Sequence, residues 1–224
     1  MDIFRQLQKS PLLLGKSYEE MKTLFSSFTY SINTYKQTEI IFNPSMPLDK
    51  LGIILQGSIS LHKILSSGES IFISKKTVGE ALGIECIYAT TEFYPYTFIS
   101  NEKTIIILMH RNDFSNLLAK DTQLMINFMK SMYCENCSLN KKIDILCQPT
   151  IKSKIVHYLL TEYADSGKEE ILLPFSKKTW AECLNVQPPS LSRTLTELQT
   201  EGLISTNKRI VYLKDIDSLY QLLY

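Results

Sequence analysis

The sequence predicts an α+β fold in which an N-terminal antiparallel β-barrel is followed by a long helix and a small C-terminal domain of helices and a hairpin. Two observations support this prediction. Apolar residues alternate with a period of two in short segments after Tyr35, and they follow the helical period after Asn112. The 224 residues also suffice for two ordinary domains, each with a core of its own.

The barrel is predicted from six short segments that are rich in β-branched residues and bounded by Gly, Pro, Asn or Ser. The segments are TEIIF, LGIILQG, SISLHKI, SIFIS, PYTFIS and TIIILM. Their spacing is typical of about eight antiparallel strands in a sandwich or barrel, and we expect a jelly roll. Residues before Tyr35 are predicted to be helical, with one helix capped by Ser17 and Glu20 and ending at Phe28.

A long helix is predicted from Asn112 to Gln148, where Pro149 ends it because proline has no backbone N–H. Residues within it recur at alternating spacings of four and three, which is a heptad repeat. The repeat comprises Met125, Met129, Met132, Asn136, Leu139, Ile143 and Leu146. Asn at one a position with Leu at d positions favours a parallel two-stranded coiled coil, so we expect a homodimer. The alternative is a helix packed on its own domain, since methionine fills irregular gaps in a core.

The C-terminal part is predicted to contain a helix-turn-helix and a hairpin. In order, we expect a helix from Thr150 to Tyr163, a strand at ILLPF, a helix from Ser176 to Leu184, a helix that starts at Pro188 and ends at Gly202, and the hairpin LISTNKRIVYL. Asn185 suits the left-handed residue of the turn, and proline suits a first helical turn, where N–H groups have no intrahelical partner. This order is typical of a winged helix-turn-helix.

The helix that starts at Pro188 has an apolar and a polar face. Leu191, Leu195 and Leu198 recur at helical spacing and are expected in the core. The opposite face has side chains suited to base edges and phosphates: Gln187, Ser190, Ser192, Arg193, Thr194 and Glu197. Arg193 can bind guanine O6 and N7 together. Basic residues for backbone phosphates lie on flanking elements at Lys177, Lys178, Lys208 and Arg209. The sequence therefore predicts double-stranded DNA as a partner.

The overall composition favours no partner by itself. A net charge of +1 gives no global attraction to nucleic acid, so DNA contacts must come from a local basic patch. The five scattered cysteines indicate reduced thiols rather than a disulfide framework. No apolar run reaches the roughly 20 residues that span a bilayer, and the N-terminus has no signal-peptide core. We therefore expect a cytoplasmic protein without a membrane partner.

Three stretches resemble the Crp/Fnr transcription factors, the family of the cyclic-AMP receptor protein and the fumarate-nitrate regulator. They are LQGSISLHK, VGEALG and SLSRTLTELQTEGLI, and the resemblance covers almost the whole chain. It implies a jelly-roll sensor domain like a cyclic nucleotide-binding domain at residues 1–112, a dimerisation helix at 113–148 and a winged helix-turn-helix DNA-binding domain at 149–224. The implied partners are DNA with two-fold related half-sites, a second copy of the chain and RNA polymerase.

The effector expected from this resemblance is a small molecule other than cyclic AMP. Family members that bind cyclic nucleotides hold the ribose with a Gly-Glu pair, which Gly79 and Glu80 match, and the phosphate with an Arg-Ser pair. Tyr94 and Pro95 replace the second pair, so a buried phosphate would lack a cation. No cofactor is identified. An effector pocket is expected between the sheet and the long helix, near Gly79, Glu80, Leu82, Tyr94 and Tyr96.

Three alternative functions are open. A haem or redox sensor would use His62, His110 or Cys86, or the pair Cys134 and Cys137, although no cysteine precedes Cys86 as in the iron-sulfur members. A metal-dependent enzyme of the cupin type also uses a jelly roll, but the three histidines include no H-x-H pair, and no metal site is predicted. The third alternative is a sensor that acts on a protein partner without DNA. The predicted wing and recognition helix favour a DNA-binding regulator, which is not an enzyme.

Overall fold

The computed structural model describes residues 2–173 and 176–223. The chain divides into two compact units, Met1–Ser138 and Leu139–Tyr224. The division falls inside a long helix, Thr122–Leu146. Among the described residues, no helix is long and apolar enough to cross a membrane.

Strands in the first unit form two four-stranded antiparallel sheets. They are β1 (Tyr30–Tyr35), β2 (Ile40–Phe42), β3 (Lys50–Gln56), β4 (Ile59–Ile64), β5 (Ser70–Lys76), β6 (Ala81–Leu82), β7 (Thr97–Ser100) and β8 (Thr104–His110). One sheet has the order β1-β8-β3-β6 and the other β2-β7-β4-β5. The chain thus passes repeatedly from one sheet to the other, and the predicted double-sheet roll is confirmed.

Two of these strands lie outside the six predicted segments. β1 is an edge strand whose residues pair with β8 from Met109 back to Thr104, so the prediction of helix up to Tyr35 is wrong there. Its four central residues are all exposed, and it therefore lacks the alternation that marks a half-buried strand. β6 has two residues and pairs with β3. Both strands depend on hydrogen bonds to distant parts of the chain.

Helices precede and follow the roll. They are α1 (Ile3–Leu7), a 3-10 turn at Pro11–Leu13, α2 (Tyr18–Ser26), α3 (Arg111–Lys120) and α4 (Thr122–Leu146). The expected cap of α2 is confirmed: Ser17 and Glu20 form a capping box. The single helix predicted from Asn112 is two helices, because Asp121 is extended and its carboxylate accepts a hydrogen bond from Leu124 N at 2.9 Å. That carboxylate starts α4 as an N-cap does.

The first unit has two apolar cores. One lies between the sheets and includes Phe42, Tyr94 and Phe98. The other joins the outer side of the sheet that contains β3 and β8 to the helices, and α4 contributes Leu124 and Phe128 to it. The N-terminal half of α4 is therefore fixed to the roll of the first unit by buried apolar contacts.

The second unit has the predicted order of elements up to the hairpin, and a further helix, which the sequence analysis does not predict, follows it. It comprises the last turns of α4 and α5 (Ile151–Ser166), β9 (Glu170–Leu172), α6 (Lys177–Cys183), α7 (Pro188–Thr200), β10 (Ile204–Asn207), β11 (Ile210–Leu213) and α8 (Ile216–Gln221). Thr150 caps α5 as expected, and the helix ends where Gly167 adopts a left-handed conformation. The antiparallel sheet has the order β10-β11-β9. Of the predicted strand ILLPF, Pro174 and Phe175 lie outside the described residues.

Candidate DNA-binding and effector sites

The turn between α6 and α7 is built by local sequence signals. Ser176 caps α6 by accepting a hydrogen bond from Thr179 N at 3.2 Å. Asn185 has a φ of 51°, and the next N–H, that of Val186, bonds back to Ala181 O at 2.9 Å. Pro188 then occupies the first turn of α7. Each feature predicted for this turn is confirmed, because capping and turn preferences act over a few residues.

The buried face of α7 fixes the direction of its other face. Leu191, Leu195 and Leu198 lie in the core of the second unit together with Trp180 of α6. The residues exposed on α7 and just before it are Gln187, Pro188, Pro189, Ser192, Arg193, Thr196 and Glu197, with Ser190 half-buried. A helix that is anchored on one side and polar on the other has the geometry needed to enter a major groove.

Two residues of α7 differ from expectation. Thr194 is only 9% exposed, and its hydroxyl donates to Ser190 O at 3.1 Å. It follows Leu191 by three residues and so shares the buried side, which corrects its expected place on the outer face. Thr196, which the sequence reasoning missed, is exposed one turn after Ser192. Thr196 follows Ser192 by four residues, so the two side chains lie on the same face of α7. This spacing is the sequence signal that indicates the position of Thr196.

The basic residues expected around α7 lie on two elements. Lys177 and Lys178 are exposed in the first turn of α6. Lys208 and Arg209 form the two-residue turn between β10 and β11, and Lys208 has a φ of 54°. The guanidinium of Arg209 donates from Nε to Leu173 O at 3.1 Å, so this side chain also holds the hairpin against the strand β9. Lys208 is exposed at the tip of the hairpin.

Tyr94 and Leu82 fill the interior of the roll. The ring of Tyr94 stacks on Phe42 with the centroids 4.2 Å apart, and its hydroxyl donates to Lys50 O at 2.5 Å. Burial raises the pKa of Tyr94. Leu82 is fully buried in the same core. These two residues, which the sequence analysis expects near an effector pocket, are therefore part of the core between the sheets.

The Gly79–Glu80 turn is held by its own hydrogen bonds. Glu80 Oε2 accepts from the backbone N and from Oγ1 of Thr77, at 2.7 and 2.9 Å. Gly79 N donates to Ile54 O at 2.8 Å. Tyr96 is half-buried at the edge of the interior, and burial raises its pKa.

Replacing Gly79 with alanine is expected to destabilise the first unit by at least about 2 kcal/mol. The φ of Gly79 is 91°, and a Cβ there would lie 2.6 Å from the carbonyl oxygen of Lys9. Gly15 is a matched control, because it has a φ of 86° but open space around its Cβ position. Urea titration of both variants measures the free energy of unfolding. Equal losses of this free energy in Gly79→Ala and Gly15→Ala would show that the close approach to Lys9 does not add to the cost of the substitution.

A buried charged cluster joins the roll to α4. Lys76 is fully buried and forms an ion pair with Glu135 of α4. Burial alone would lower the pKa of Lys76, but the carboxylates of Glu85 and Glu135 outweigh burial and hold this pKa above its usual value. Burial raises the pKa of Glu85, partly offset by Lys76. The two carboxylate oxygens of Glu85 are out of contact with solvent and accept no hydrogen bond of normal geometry in the described part of the chain.

The sequence reasoning missed this cluster, although the sequence contains a signal for it. Lys76 follows Phe72 and Ser74 on the inward side of β5, so a charged residue stands where the alternation requires an apolar one. Glu135 follows Phe128 and Met132 at spacings of seven and three on α4. A lysine and a glutamate on two buried faces are expected to pair, because an isolated buried charge is unfavourable.

The two histidines and the cysteine considered as haem ligands are held in hydrogen bonds or buried in the structure. His110 caps α3, with its ring Nδ1 accepting from Asn112 N at 3.2 Å. His62 Nδ1 lies 3.2 Å from Ser70 Oγ. Burial raises the pKa of Cys86 to about 12. Among the residues described, no three of His, Cys, Asp or Glu are grouped so that they could hold a metal ion.

The exposed apolar stripe of α4 differs from the predicted heptad seam. Met125 and Met132 are half-buried and pack against the core of the first unit, which corrects their place in an exposed seam. Met129 and Ile143, both predicted, are 60% and 55% exposed. The full stripe continues at spacings of three and four through Ile126, Met129, Tyr133, Asn136, Asn140 and Ile143, all exposed. Leu139 is exposed beside this stripe, and Leu146 is half-buried.

Two protein families match the two halves of the chain. Residues 32–121 match the cyclic nucleotide-binding domain, and residues 153–222 match the Crp-like helix-turn-helix domain. The chain is 21% identical over 201 residues to the probable transcriptional regulator flp of Lacticaseibacillus casei, with 90% of each chain covered. It is 20% identical over 210 residues to the global nitrogen regulator of a Nostoc species, covering 88% of this chain and 90% of that one.

Solved structures share the fold over nearly the whole chain. A CooA mutant from Carboxydothermus hydrogenoformans superposes with a TM-score of 0.75 at 14% identity, covering 95% of this chain and 94% of that one. FixK2 from Bradyrhizobium japonicum superposes with a TM-score of 0.64 at 18% identity, covering 87% and 97%. The match to the cyclic nucleotide-binding domain falls in the first unit, which contains the roll. The match to the Crp-like helix-turn-helix domain falls in the second unit, which contains α6 and α7. The chain therefore belongs to the Crp/Fnr family of DNA-binding transcription regulators.

Proposed function

We propose that the protein works as a dimer, reads a two-fold related DNA site with α7, and responds to a small effector other than cyclic AMP. The observation that carries this proposal is the outer face of α7, where Ser192 and Arg193 are exposed opposite three buried leucines. RNA polymerase is the further partner that family membership suggests.

The outer face of α7 supports reading of bases and phosphates together. Arg193 has a forked guanidinium that can bind guanine in the major groove. Gln187 and Ser190 lie at the start of α7, where unpaired N–H groups and the helix dipole favour a phosphate. Lys177 and Lys208, exposed on the neighbouring helix and hairpin, would meet the DNA backbone on either side. This local arrangement provides the attraction that the net charge of +1 does not.

The exposed stripe of α4 supports a dimer. Met129, Tyr133 and Ile143 are large apolar side chains on one side of one helix, exposed by 60%, 71% and 55%. Several large apolar side chains exposed on one side of a helix indicate an interaction site. A second copy of α4 would cover the stripe in a parallel coiled coil, and the DNA site of such a dimer would have half-sites about 34 Å apart, one turn of DNA.

Replacing Asn136 with leucine is expected to tighten the dimer by roughly 5-fold or more, because an amide at an a position costs stability. The same change is expected to lower the ratio of specific to scrambled DNA affinity, because the polar pair fixes the register of the helices. Sedimentation equilibrium and DNA titration measure the two effects. Ser138→Leu, at an exposed position on the opposite side of α4, is the control, and identical behaviour of both variants would remove Asn136 from the dimer seam.

The charges inside the roll argue against a cyclic nucleotide. Lys76 is the buried cation of this interior, and its charge is already compensated by Glu135 and Glu85. The position that the family's Arg-Ser pair occupies is filled by Tyr94, whose hydroxyl is bonded to Lys50. A nucleotide phosphate placed beside Lys76 would therefore meet the carboxyl groups of Glu85 and Glu135, which is unfavourable in a buried site.

Fluorescence anisotropy tests the proposed function most directly. The full chain is titrated onto DNA from its own upstream region and onto a scrambled duplex, at two salt concentrations. We expect tighter binding to the duplex from the upstream region and a stoichiometry of two chains per site. The affinity should fall with increasing salt, because phosphate contacts contribute to it. Binding of one chain per duplex would contradict the dimer. Equal binding to both duplexes would mean that the site lies elsewhere or that an effector must act first.

A further inference from the structure

The N-terminal segment crosses from the Gly79 turn to α4. We call residues 9–16 the strap. At one end, the carbonyl of Lys9 lies so close to Gly79 that a Cβ there would come within 2.6 Å of it. At the other end, the buried amide of Asn127 on α4 donates to the carbonyls of Leu12 and Leu14, at 3.0 and 2.9 Å. Lys16 adds an ion pair with Asp121. The strap thus packs closely against the Gly79 turn at one end and is hydrogen-bonded to α4 at the other.

A cavity of about 190 Å³ lies beneath the strap. Its walls come from Pro11 and Leu12 of the strap, from Ala81 and Ile84 after the Gly79 turn, and from Ser131 and Cys134 of α4. Most of this lining is apolar. An engineered apolar cavity of about 150 Å³ holds benzene, so the space suits a single ring with a short substituent.

The polar groups that this cavity offers are mainly hydrogen-bond acceptors. The Asn127 amide is engaged by the strap, and Ser131 Oγ donates to Asn127 O at 3.0 Å. The carboxylates of Glu80 and Glu135 also line the cavity, and each uses one oxygen in the bonds described above, to Thr77 and to Lys76. The second oxygen of each accepts no hydrogen bond from the described residues. Lys130 stands exposed at the rim.

The charge around these acceptors favours a cation. Glu85 lies close enough to Lys76 and Glu135 for their charges to act on it, and its buried carboxylate accepts no hydrogen bond of normal geometry in the described part of the chain. Among the described residues near the cavity, the carboxyl groups of Glu80, Glu85 and Glu135 thus outnumber the ammonium groups of Lys76 and Lys130. A bound group with a positive charge and hydrogen-bond donors would complement this site, whereas an anion would be repelled.

We propose that the cavity beneath the strap binds a small organic amine, with its apolar part against Leu12 and Ile84 and its ammonium between Glu80 and Glu135. The occupied cavity would tie the strap, the Gly79 turn and α4 together. The regulatory consequence rests on the proposed function: an amine would hold α4 in one position relative to the roll and so change DNA affinity. The binding site itself does not depend on DNA recognition.

Benzylamine is the probe for this site, because it has one ring and a protonated amino group. Isothermal titration and ligand-observed NMR are carried out on the full chain, with benzyl alcohol and benzoate as neutral and anionic counterparts. We expect saturable binding of benzylamine with a dissociation constant on the order of 1 mM, as its small size allows. Benzyl alcohol should bind at least ~10-fold more weakly, and benzoate should show no binding. Equal binding of benzylamine and benzyl alcohol, or stronger binding of benzoate, would overturn the amine class.

A cavity-filling variant locates the binding. Ser131→Leu places apolar volume inside the cavity and is expected to reduce benzylamine affinity at least ~10-fold. Ser138→Leu, two helical turns along α4 and outside the cavity lining, should bind as the wild type does. Glu80→Gln keeps the shape and should weaken benzylamine but not benzyl alcohol. Unchanged binding in Ser131→Leu would overturn the site, provided that its circular dichroism and thermal midpoint match those of Ser138→Leu.

DNA titrations of the same proteins separate this inference from the proposed function. If the wild type binds benzylamine at this site but prefers no DNA sequence with or without it, the regulatory function fails and the amine site stands. If DNA preference is present and benzylamine does not bind, the amine site fails and the regulator stands.

Discussion

Replacement of Arg193 by alanine is expected to weaken binding to the specific DNA site by about 5- to 150-fold, which corresponds to ~1–3 kcal/mol. Binding to a scrambled duplex should change little. The reason is the position of Arg193 on the exposed face of α7, where its guanidinium can reach base edges that phosphate contacts do not read. Anisotropy titrations with both duplexes measure the loss of specificity.

Lys177→Ala is the contrasting variant for this prediction. Lys177 is exposed on α6, and we expect its ammonium to contact phosphate. Its removal should weaken binding to both duplexes alike and reduce the slope of log affinity against log salt by about 1. If Arg193→Ala behaves like Lys177→Ala, with equal losses on the two duplexes, then Arg193 contacts the DNA backbone rather than bases.

Replacement of Met129 by glutamate is expected to weaken the proposed dimer by at least ~100-fold, because an unpaired charge in a buried seam costs about 3–5 kcal/mol. Met129 is 60% exposed in the stripe of α4, so the isolated chain should fold normally. In a two-fold dimer the change introduces two carboxylates that face each other. DNA affinity should fall with the dimer, since one chain reaches one half-site only.

Sedimentation velocity across a range of protein concentrations measures this effect. Ser138→Glu adds the same charge to the same helix, but at an exposed position away from the stripe, and should leave the dimer intact. A fully dimeric Met129→Glu variant would mean that another surface joins the two copies. Circular dichroism of both variants shows whether folding is unaffected.

The elements that the sequence predicts well are those with short-range causes. The capping box at Ser17, the cap at Thr150, the left-handed Asn185 and the proline start of α7 are all present as predicted. Their energies come from hydrogen bonds and backbone preferences within four residues. For the same reason the order of helices and hairpin around α7, from which the DNA-binding function is inferred, could be read from the chain alone.

The candidate effector site could not be predicted in the same way. Tyr94 was expected to line a pocket, but its ring stacks on Phe42, which is distant in sequence. Lys76 pairs with Glu135, 59 residues away. The cavity beneath the strap exists because Asn127 bonds to Leu12 across 115 residues. Contacts of this range depend on how the sheets and α4 pack, and no local pattern encodes them.

The sequence by itself determined the order of elements, the turn chemistry and the apolar side of α7. Only the tertiary structure decided which heptad residues stay exposed: Met125 and Met132 are covered by the core of the first unit, whereas Met129 and Ile143 are not. The same holds for the edge strand β1, which forms because β8 supplies its hydrogen bonds. The physical reason is that helical and turn preferences act along the chain, whereas burial depends on what the fold places against each residue.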